Sequence, residues 1–513
     1  MNNFKMALED CRLSSTSFTG YPFTWARSYP DGSMVEERLD RCVANGVFFD
    51  RYSHLTTNHL VAVGSDHYPI LVEACVEDPE ASAKRSRRFH FEEMWTKEPD
   101  FDKVIEEAWK VTDGVEGVRS SLSLCAKELK TWNHVHFGNV RNQLKYAYKE
   151  LAALQGRLTT DQSVLKAKND ERRIGDLFCD YFKTLFSSSG SQQMERILNE
   201  VRPVITNAMN DQLLQPFTRE ELEHTLFQMF PTKAPGHDGM PALFFQKYWH
   251  IVGDKVANKC LQILNGEGSV REFNHTLIAL IPKVKMPTTV SEFPPISLCT
   301  TVYKMIAKTI ANRLKFVLPH VITENQSAFV PNRMILDNVM AAFEIMHTIK
   351  GVKKGHDVKM ALKLDMAKAY DRVEWVFLRE MMLKLGFSPI WVAKIMDCIS
   401  TPTFSVLWKG TPIGNIMPQR GLRQGCPLSP YLFLMCTEGF SSLLRGAERR
   451  GDLIGVQVAR GAPSVTHLLF ADDSILFMKA TRDAWLGFRD LAAFNRALLA
   501  KQCWRIFRTP SRR

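Results

Sequence analysis

Two apolar, β-prone runs meet at a pair of acids near the end of this chain. They read His467-Leu468-Leu469-Phe470-Ala471, then Asp472-Asp473, then Ser474-Ile475-Leu476-Phe477-Met478. Such runs about a two-residue break predict a tight hairpin with adjacent carboxylates at its tip. Two negative charges side by side are unfavourable unless cations neutralise them, so the tip is a candidate divalent-metal site. An acidic dipeptide between apolar segments also describes an ordinary solvated turn. The choice between the two rests on what lies upstream.

A partner for the hairpin ends the run Val358 to Asp365. Met360, Leu362 and Leu364 alternate with Lys359, Ala361 and Lys363, the period of a strand with one buried face. The strand ends at Asp365, and Ala367 to Tyr370 lead into an expected helix. A carboxylate at that strand end, set beside the Asp472-Asp473 turn, would complete a three-acid site. Mg²⁺ prefers oxygen ligands and shares them with substrate phosphates, and two such ions can serve an in-line phosphoryl transfer. Between the acids lies Gln419 to Pro430. Its glycines, Gly421 and Gly425, allow close backbone approach to a ligand. Arg420 and Arg423 suit phosphate. Ser429 as N-cap with Pro430 at the first helical position predicts a helix start; a plain surface loop before a helix is the bland alternative.

The bulk numbers narrow the class. In 513 residues, 45% apolar and 24% charged content fit a globular chain of two to four domains. The formal charge of +11 favours a polyanionic partner. Eleven cysteines carry no CxxC pair and no zinc spacing, which reads as reduced thiols of an intracellular protein. Nothing at Met1 to Lys5 resembles a signal core. No stretch approaches the roughly 20 apolar residues of a membrane span.

Along the chain, residues 1–76 read as short strands and turns, followed by a basic joint at 84–88. From about 100 to 200 the pattern is helical, with Ile105, Ala108 and Trp109 on one face, and Leu122, Leu124 and Leu129 continuing it imperfectly. From 213 onward helices alternate with short β-rich runs.

Several ordered blocks together resemble one known family. LDMAKAYDRVEW (364–375), RGLRQGCPLSPYLF (420–433) and FADD (470–473) are similar to the palm of reverse transcriptases, and above all to non-LTR (LINE-type) retrotransposon polyproteins of the plant type. KAPGHDGMPALFFQKYW (233–249), LIALIPK (277–283), FPPISLCTTVYKMIAKTIANRL (293–314) and ENQSAFVPNRMILDNV (324–339) extend the likeness in the family's order. The resemblance implies an α+β fold: right-hand polymerase fingers and an antiparallel palm sheet with helices, preceded by a partial α/β endonuclease-like piece and a helical connector. It implies that Asp365, Asp472 and Asp473 bind two Mg²⁺ ions (or Mn²⁺ in their place). Tyr370 would lie under the sugar of the incoming nucleotide and exclude a 2′-hydroxyl. Gln424, Gly425, Arg423 and Lys283 would line the nucleotide pocket. The implied partners are an RNA template, a DNA primer and deoxynucleotides, and target-primed integration would require access to the nucleus.

FTW (23–25), RLDR (38–41) and SDH (65–67) look like the last third of the endonuclease/exonuclease/phosphatase fold. Asp66 and His67 would be its terminal pair, with Asp40 orienting the imidazole. FHFEEMW (89–95) and WNHVHFGNV (132–140) match the connecting region of such elements. The expected domains are 1–76, the nuclease portion; 77–200, an internally shortened connector; 201–481, fingers and palm; and 482–513, a misjoined downstream segment.

The chain departs from the family in four places. The upstream metal-binding residues of the nuclease have no counterpart in the first 22 residues, so that site is expected to be vestigial. A basic, Trp-containing block is missing between about 158 and the GDLFCDYFKTLF run (175–186). Pro294 stands where the family has Arg, and His237 where it has Pro. After Thr481 the palm's remaining Lys block and the thumb are replaced by Trp485 to Trp504. Two functions therefore stand side by side: a polymerase, and a catalytically silent remnant that binds nucleic acid.

Overall fold

The computed structural model describes residues 88–136 and 168–479, apart from 113, 189, 191–193, 285–286, 288, 352–357 and 367. In the amino-terminal part it describes 8–59 and 67–75, apart from 9, 12, 20, 29–33 and 52–53. The expectations about the joint at 84–87, the shortening near 158 and the segment beyond 481 lie outside the described residues. Two compact units form, one from 1–86 with 130–176, the other from 87–129 with 177–513. Residues 87–129 and 177–200 of the expected connector thus belong to the second unit, and 77–86 with 130–176 to the first.

In the first unit the strands are β1 (Ser14–Ser15), β2 (Phe18–Thr19), β3 (Trp25–Ser28), β4 (Met34–Glu37), β5 (Val43–Ala44), β6 (His54–His59) and β7 (Ile70–Cys75). β6 lies between β2, which is parallel to it, and β7, which is antiparallel. β3 and β4 form a hairpin. Thr24, fully buried, ties the short motifs together: its N–H donates to Glu37, its carbonyl accepts from Tyr68, and its hydroxyl accepts from the Asp40 N–H at 2.8 Å.

The second unit is built on aromatic packing that the sequence places at helical spacing. Phe91 buries its ring 5.4 Å from Phe244, and its N–H donates to the Gly239 carbonyl. The FHFEEMW run therefore clips onto the KAPGHDG turn. In the helix Phe101–Lys110 the residues Phe101, Ile105, Ala108 and Trp109 are buried, the face the i, i+3, i+4 pattern predicts. Further on, Leu122 and Leu129 are buried, while Cys125 fills the position between them. In α1 (Lys168–Leu185), Phe178, Phe182 and Leu185 stack one above another and cover a sheet. That sheet has the order β12-β11-β8-β9, from β8 (His275–Leu280), β9 (Pro295–Leu298), β11 (Thr403–Trp408) and β12 (Thr411–Ile416). Only the β8–β11 pair is parallel. The β11–β12 hairpin turns at Lys409-Gly410, both with positive φ, as a type I′ turn requires.

The second sheet carries the acids. It has the order β10-β14-β13, from β10 (Lys359–Asp365), β13 (His467–Phe470) and β14 (Asp473–Lys479), all antiparallel. Leu362 and Leu364 are buried in it, as the alternation in β10 predicts, while Met360 is half-buried; in β14 Leu476, Phe477 and Met478 are all buried. Ile345 of α3 (Ile335–Gly351), which follows α2 (Thr301–Val321), packs with Phe477 and Val456 against Ala361, Leu468 and Ile475. After the short helix α4 (Trp375–Leu385), the long α5 (Ser429–Arg450) is buried along most of its length and ends at Gly451 in the left-handed conformation.

Three local expectations are corrected. The hairpin tip is Ala471-Asp472, since Phe470 pairs with Asp473, which is already the first residue of β14. Ser429 is inside its helix: Leu428 is the N-cap and is itself helical, and the Ser429 N–H is met by the Cys426 carbonyl, so no hydroxyl cap is needed. The chain after Asp365 makes only a 3₁₀ turn at Tyr370–Arg372 before α4 begins at Trp375. Among the described residues no helix is long and apolar enough to cross a membrane.

Candidate active site

The register of β10 against β14 sets Asp365 opposite Asp473. Side chains of directly opposed residues share a face of the sheet, so two carboxylates stand together at its end. Asp472 precedes them in the turn. Its carboxyl is pushed above the usual range, first by desolvation and then by the charges of Asp473 and Asp365, with Lys283 pulling the other way. Asp473 is met by Lys363 Nζ at 3.1 Å. Among the described residues no group of three or more His, Cys, Asp or Glu side chains converges closely enough to hold a metal ion. The donor set nonetheless suits a hard cation: carboxylate oxygens of like charge, one of them partly desolvated.

Asp472 borders a cleft of about 390 Å³ whose walls include Lys283, Ser291, Pro294, Lys368, Tyr370, Asp371, Arg423, Gln424, Gly425 and Cys426. The fold thereby brings Tyr370, Gln424, Gly425, Arg423 and Lys283 to one place. Tyr370 is stacked on Phe433 of α5, with ring centroids 4.6 Å apart and planes 15° apart, and burial raises its phenol pKa. Gln424 donates from Nε2 to Asp371 Oδ1 at 3.1 Å. Its carbonyl accepts from the Ser297 N–H, which ties the loop to β9. Asp371 is buried, and desolvation raises its carboxyl to about 6 against the pull of Lys368 and Gln424.

The glycines and arginines of this loop face the protein more than a ligand. A Cβ on Gly421 would meet the Asp371 carbonyl at 2.7 Å, and one on Gly425 the Ser297 carbonyl at 2.9 Å; both have positive φ. Arg423, 6% exposed, donates from Nη1 to Asn274 Oδ1 and Thr276 Oγ1 and from Nη2 to the Cys398 carbonyl, and lies over the Tyr303 ring. Arg420 bonds the Leu185 carbonyl and the buried Glu374.

Three residues of this site escaped the sequence reading. Lys368 and Asp371 lie within the LDMAKAYDRVEW block, where proximity to Tyr370 was the available signal. Gln326 lies in the ENQSAF block, and nothing in its spacing joins it to Asp472. Its Oε1 accepts the Ala471 N–H at 3.0 Å and its Nε2 donates to the Ala471 carbonyl at 3.5 Å. Ala471 has φ 54, a conformation that costs an L-residue about 1–2 kcal/mol.

In the first unit, His67 Nδ1 lies 2.9 Å from Asp40 Oδ2, beside a cavity of about 700 Å³ lined by both residues. Asp66 lies outside the described residues.

Residues 281–501 match the reverse transcriptase (RNA-dependent DNA polymerase) family. The chain carries a reverse transcriptase domain. Over 308 residues, 60% of this chain, it is 30% identical to the Transposon TX1 uncharacterized 149 kDa protein of Xenopus laevis, covering 23% of that protein. Over 264 residues it is 23% identical to the retrovirus-related Pol polyprotein from type-1 retrotransposable element R2 of Popillia japonica, covering 35% of it. A 65-residue stretch is 55% identical to an uncharacterized mitochondrial protein of Arabidopsis thaliana, covering 53% of it. The chain thus spans about a quarter to a half of these relatives. The reverse transcriptase domain holds every cleft residue named above that lies from Lys283 onward.

Proposed function

We propose that this chain is an RNA-directed DNA polymerase of a non-LTR retrotransposon of the plant type, built as fingers and palm. In this reading the primer 3′-hydroxyl attacks the α-phosphate of a deoxynucleotide on an RNA template, and pyrophosphate leaves. The observation that carries it is the register Asp365 opposite Asp473, with Asp472 one residue earlier at the edge of the cleft. Two Mg²⁺ ions held by Asp365, Asp472 and Asp473 would neutralise charge on the attacking and leaving oxygens.

The protein's own residues do the positioning. Tyr370, whose ring is stacked on Phe433, would lie under the sugar and exclude a 2′-hydroxyl. Gln424, its amide held by Asp371, orients the nucleotide. Lys283 and Lys368 supply positive charge on the wall where Pro294 offers none. Arg423 supports that wall through its bonds to Asn274, Thr276 and Cys398. The Asp40–His67 pair, with Asp66, is then the vestige of an endonuclease/exonuclease/phosphatase site.

The test is single-nucleotide extension of a DNA primer on an RNA template with Mg²⁺. Asp472→Asn is expected to lower the rate at least about 100-fold while template–primer binding is retained. Absence of extension by the wild-type chain, or equal rates for both, overturns the reading. The Lys363–Asp473 ion pair favours a second reading, because it already neutralises one of the three acids. That reading, a catalytically silent nucleic-acid binder, predicts binding without extension at any Mg²⁺ concentration.

A further inference from the structure

Asp472 follows a residue held in a strained conformation: Ala471 has φ 54 without being glycine. Returning Ala471 to negative φ would relieve that strain, and it would change the direction in which the chain presents Asp472, which borders the cleft.

One amide stands against this. Gln326 is 1% exposed, and its side chain meets both the N–H and the carbonyl of Ala471. The amide is itself fixed: Oε1 also accepts from the Ala328 N–H at 3.0 Å. The main chain around it is held as firmly. Arg333 donates to the Gln326 carbonyl at 2.8 Å, and the Gln326 N–H bonds the Thr323 carbonyl. The same loop runs beside β13 as a parallel bridge, Gln326 to Leu469. There the Leu469 N–H donates to Asn325, the Leu469 carbonyl accepts from Ser327, and Asn338 Nδ2 donates to that carbonyl at 2.7 Å.

We infer that Gln326 is a positioning residue: its amide locks Ala471 in the left-handed conformation and so aims Asp472 into the cleft. The inference rests on the polymerase reading for its consequence, though not for the lock itself. Gln326 acts through the turn and not on nucleotide or metal directly. A leucine of similar volume keeps the packing and loses both hydrogen bonds to Ala471, together with the one from the Ala328 N–H. A glycine at 471 removes the steric reason for the lock.

The experiment uses the full chain and four forms: wild type, Gln326→Leu, Ala471→Gly and the double variant. Hydrogen exchange of the peptide 467–474 is expected to rise at least about tenfold in Gln326→Leu, with α2 protected as in wild type. Single-nucleotide incorporation should lose about 10–100-fold in kcat, with the deoxynucleotide KM within about threefold. In the Ala471→Gly background the loss on adding Gln326→Leu should be several-fold smaller, the coupling expected of two residues acting on one turn. Unchanged exchange at 467–474, unchanged kcat, or equal losses with and without Ala471→Gly would each overturn the inference. Should the wild-type chain extend no primer, the polymerase reading falls, and exchange at 467–474 still decides whether Gln326 sets the turn.

Discussion

Arg423 stands between Leu422 and Gln424 at the cleft that Asp472 borders, and an arginine there reads from sequence as a phosphate ligand. Its guanidinium is turned into the protein, onto Asn274, Thr276 and the Cys398 carbonyl. Arg423→Lys keeps the charge and loses the planar fork, leaving buried acceptors unmet. It is therefore expected to lower unfolding free energy by about 1–3 kcal/mol in urea titration, with deoxynucleotide KM changed less than about threefold in the folded protein. A large rise in KM at unchanged stability would assign Arg423 to the ligand instead. His467, at the base of the acid hairpin, is likewise buried, bonded to Ser441 and Thr466, and its pKa is lowered to about 3, mainly by desolvation and further by Arg445. Between that value and the ordinary one near 6.5, the unfolded chain binds a proton that the folded chain does not. Stability from this group is therefore complete above about pH 6.5 and falls as the pH drops, by about 2 kcal/mol between pH 6.5 and 5. His467→Gln should lose correspondingly less over that interval in denaturant titrations at the two pH values.

At the level of elements, the hairpin and its partner strand were legible because alternation has a period of two and one buried face. Met360, Leu362 and Leu364 predicted β10, and the family order predicted its partner. The turn was misplaced by one residue because Asp473 is as polar as any loop residue. Only the ladder, Phe470 to Asp473 and Asp473 to Asp365, reveals it as strand. Gln326 was not legible at all, since a contact spanning 145 residues leaves no local pattern. The role of GDLFCDYFKTLF was half legible: its spacing gives an amphipathic helix, but not the sheet that the helix covers. Phe182, fully buried, is the centre of that contact, packed in a cluster with Ile278, Phe404, Val406 and Ile416. Phe182→Ala should therefore cost about 3–5 kcal/mol, read as a lowered urea midpoint with an unchanged slope. A loss below about 1 kcal/mol would mean that α1 is peripheral to this sheet.

Across the whole molecule, the same +11 charge that suggested a polyanionic partner separates the two functional readings only when joined to geometry. Net charge alone promotes binding of any nucleic acid. Some of the basic side chains are already committed to the protein: Arg313 is paired with Glu221, Arg420 with Glu374, Arg445 with Glu438, and Arg449 and Arg450 with Glu200. Those cations cannot each release a counterion from a phosphate. The affinity for an RNA template–DNA primer should consequently fall with salt, but with a slope well short of the formal charge. For each phosphate neutralised the logarithm of the binding constant drops by about 0.7–0.9 per decade of salt. A slope corresponding to roughly four to seven contacts is expected from titrations between 50 and 200 mM salt. Asp472→Asn should leave that slope unchanged if, as proposed, the acid turn serves the reacting phosphates and not the duplex backbone. A slope near zero would show that the basic surface is not used. A slope changed by Asp472→Asn would place the acid turn within the binding surface and weaken its assignment to chemistry.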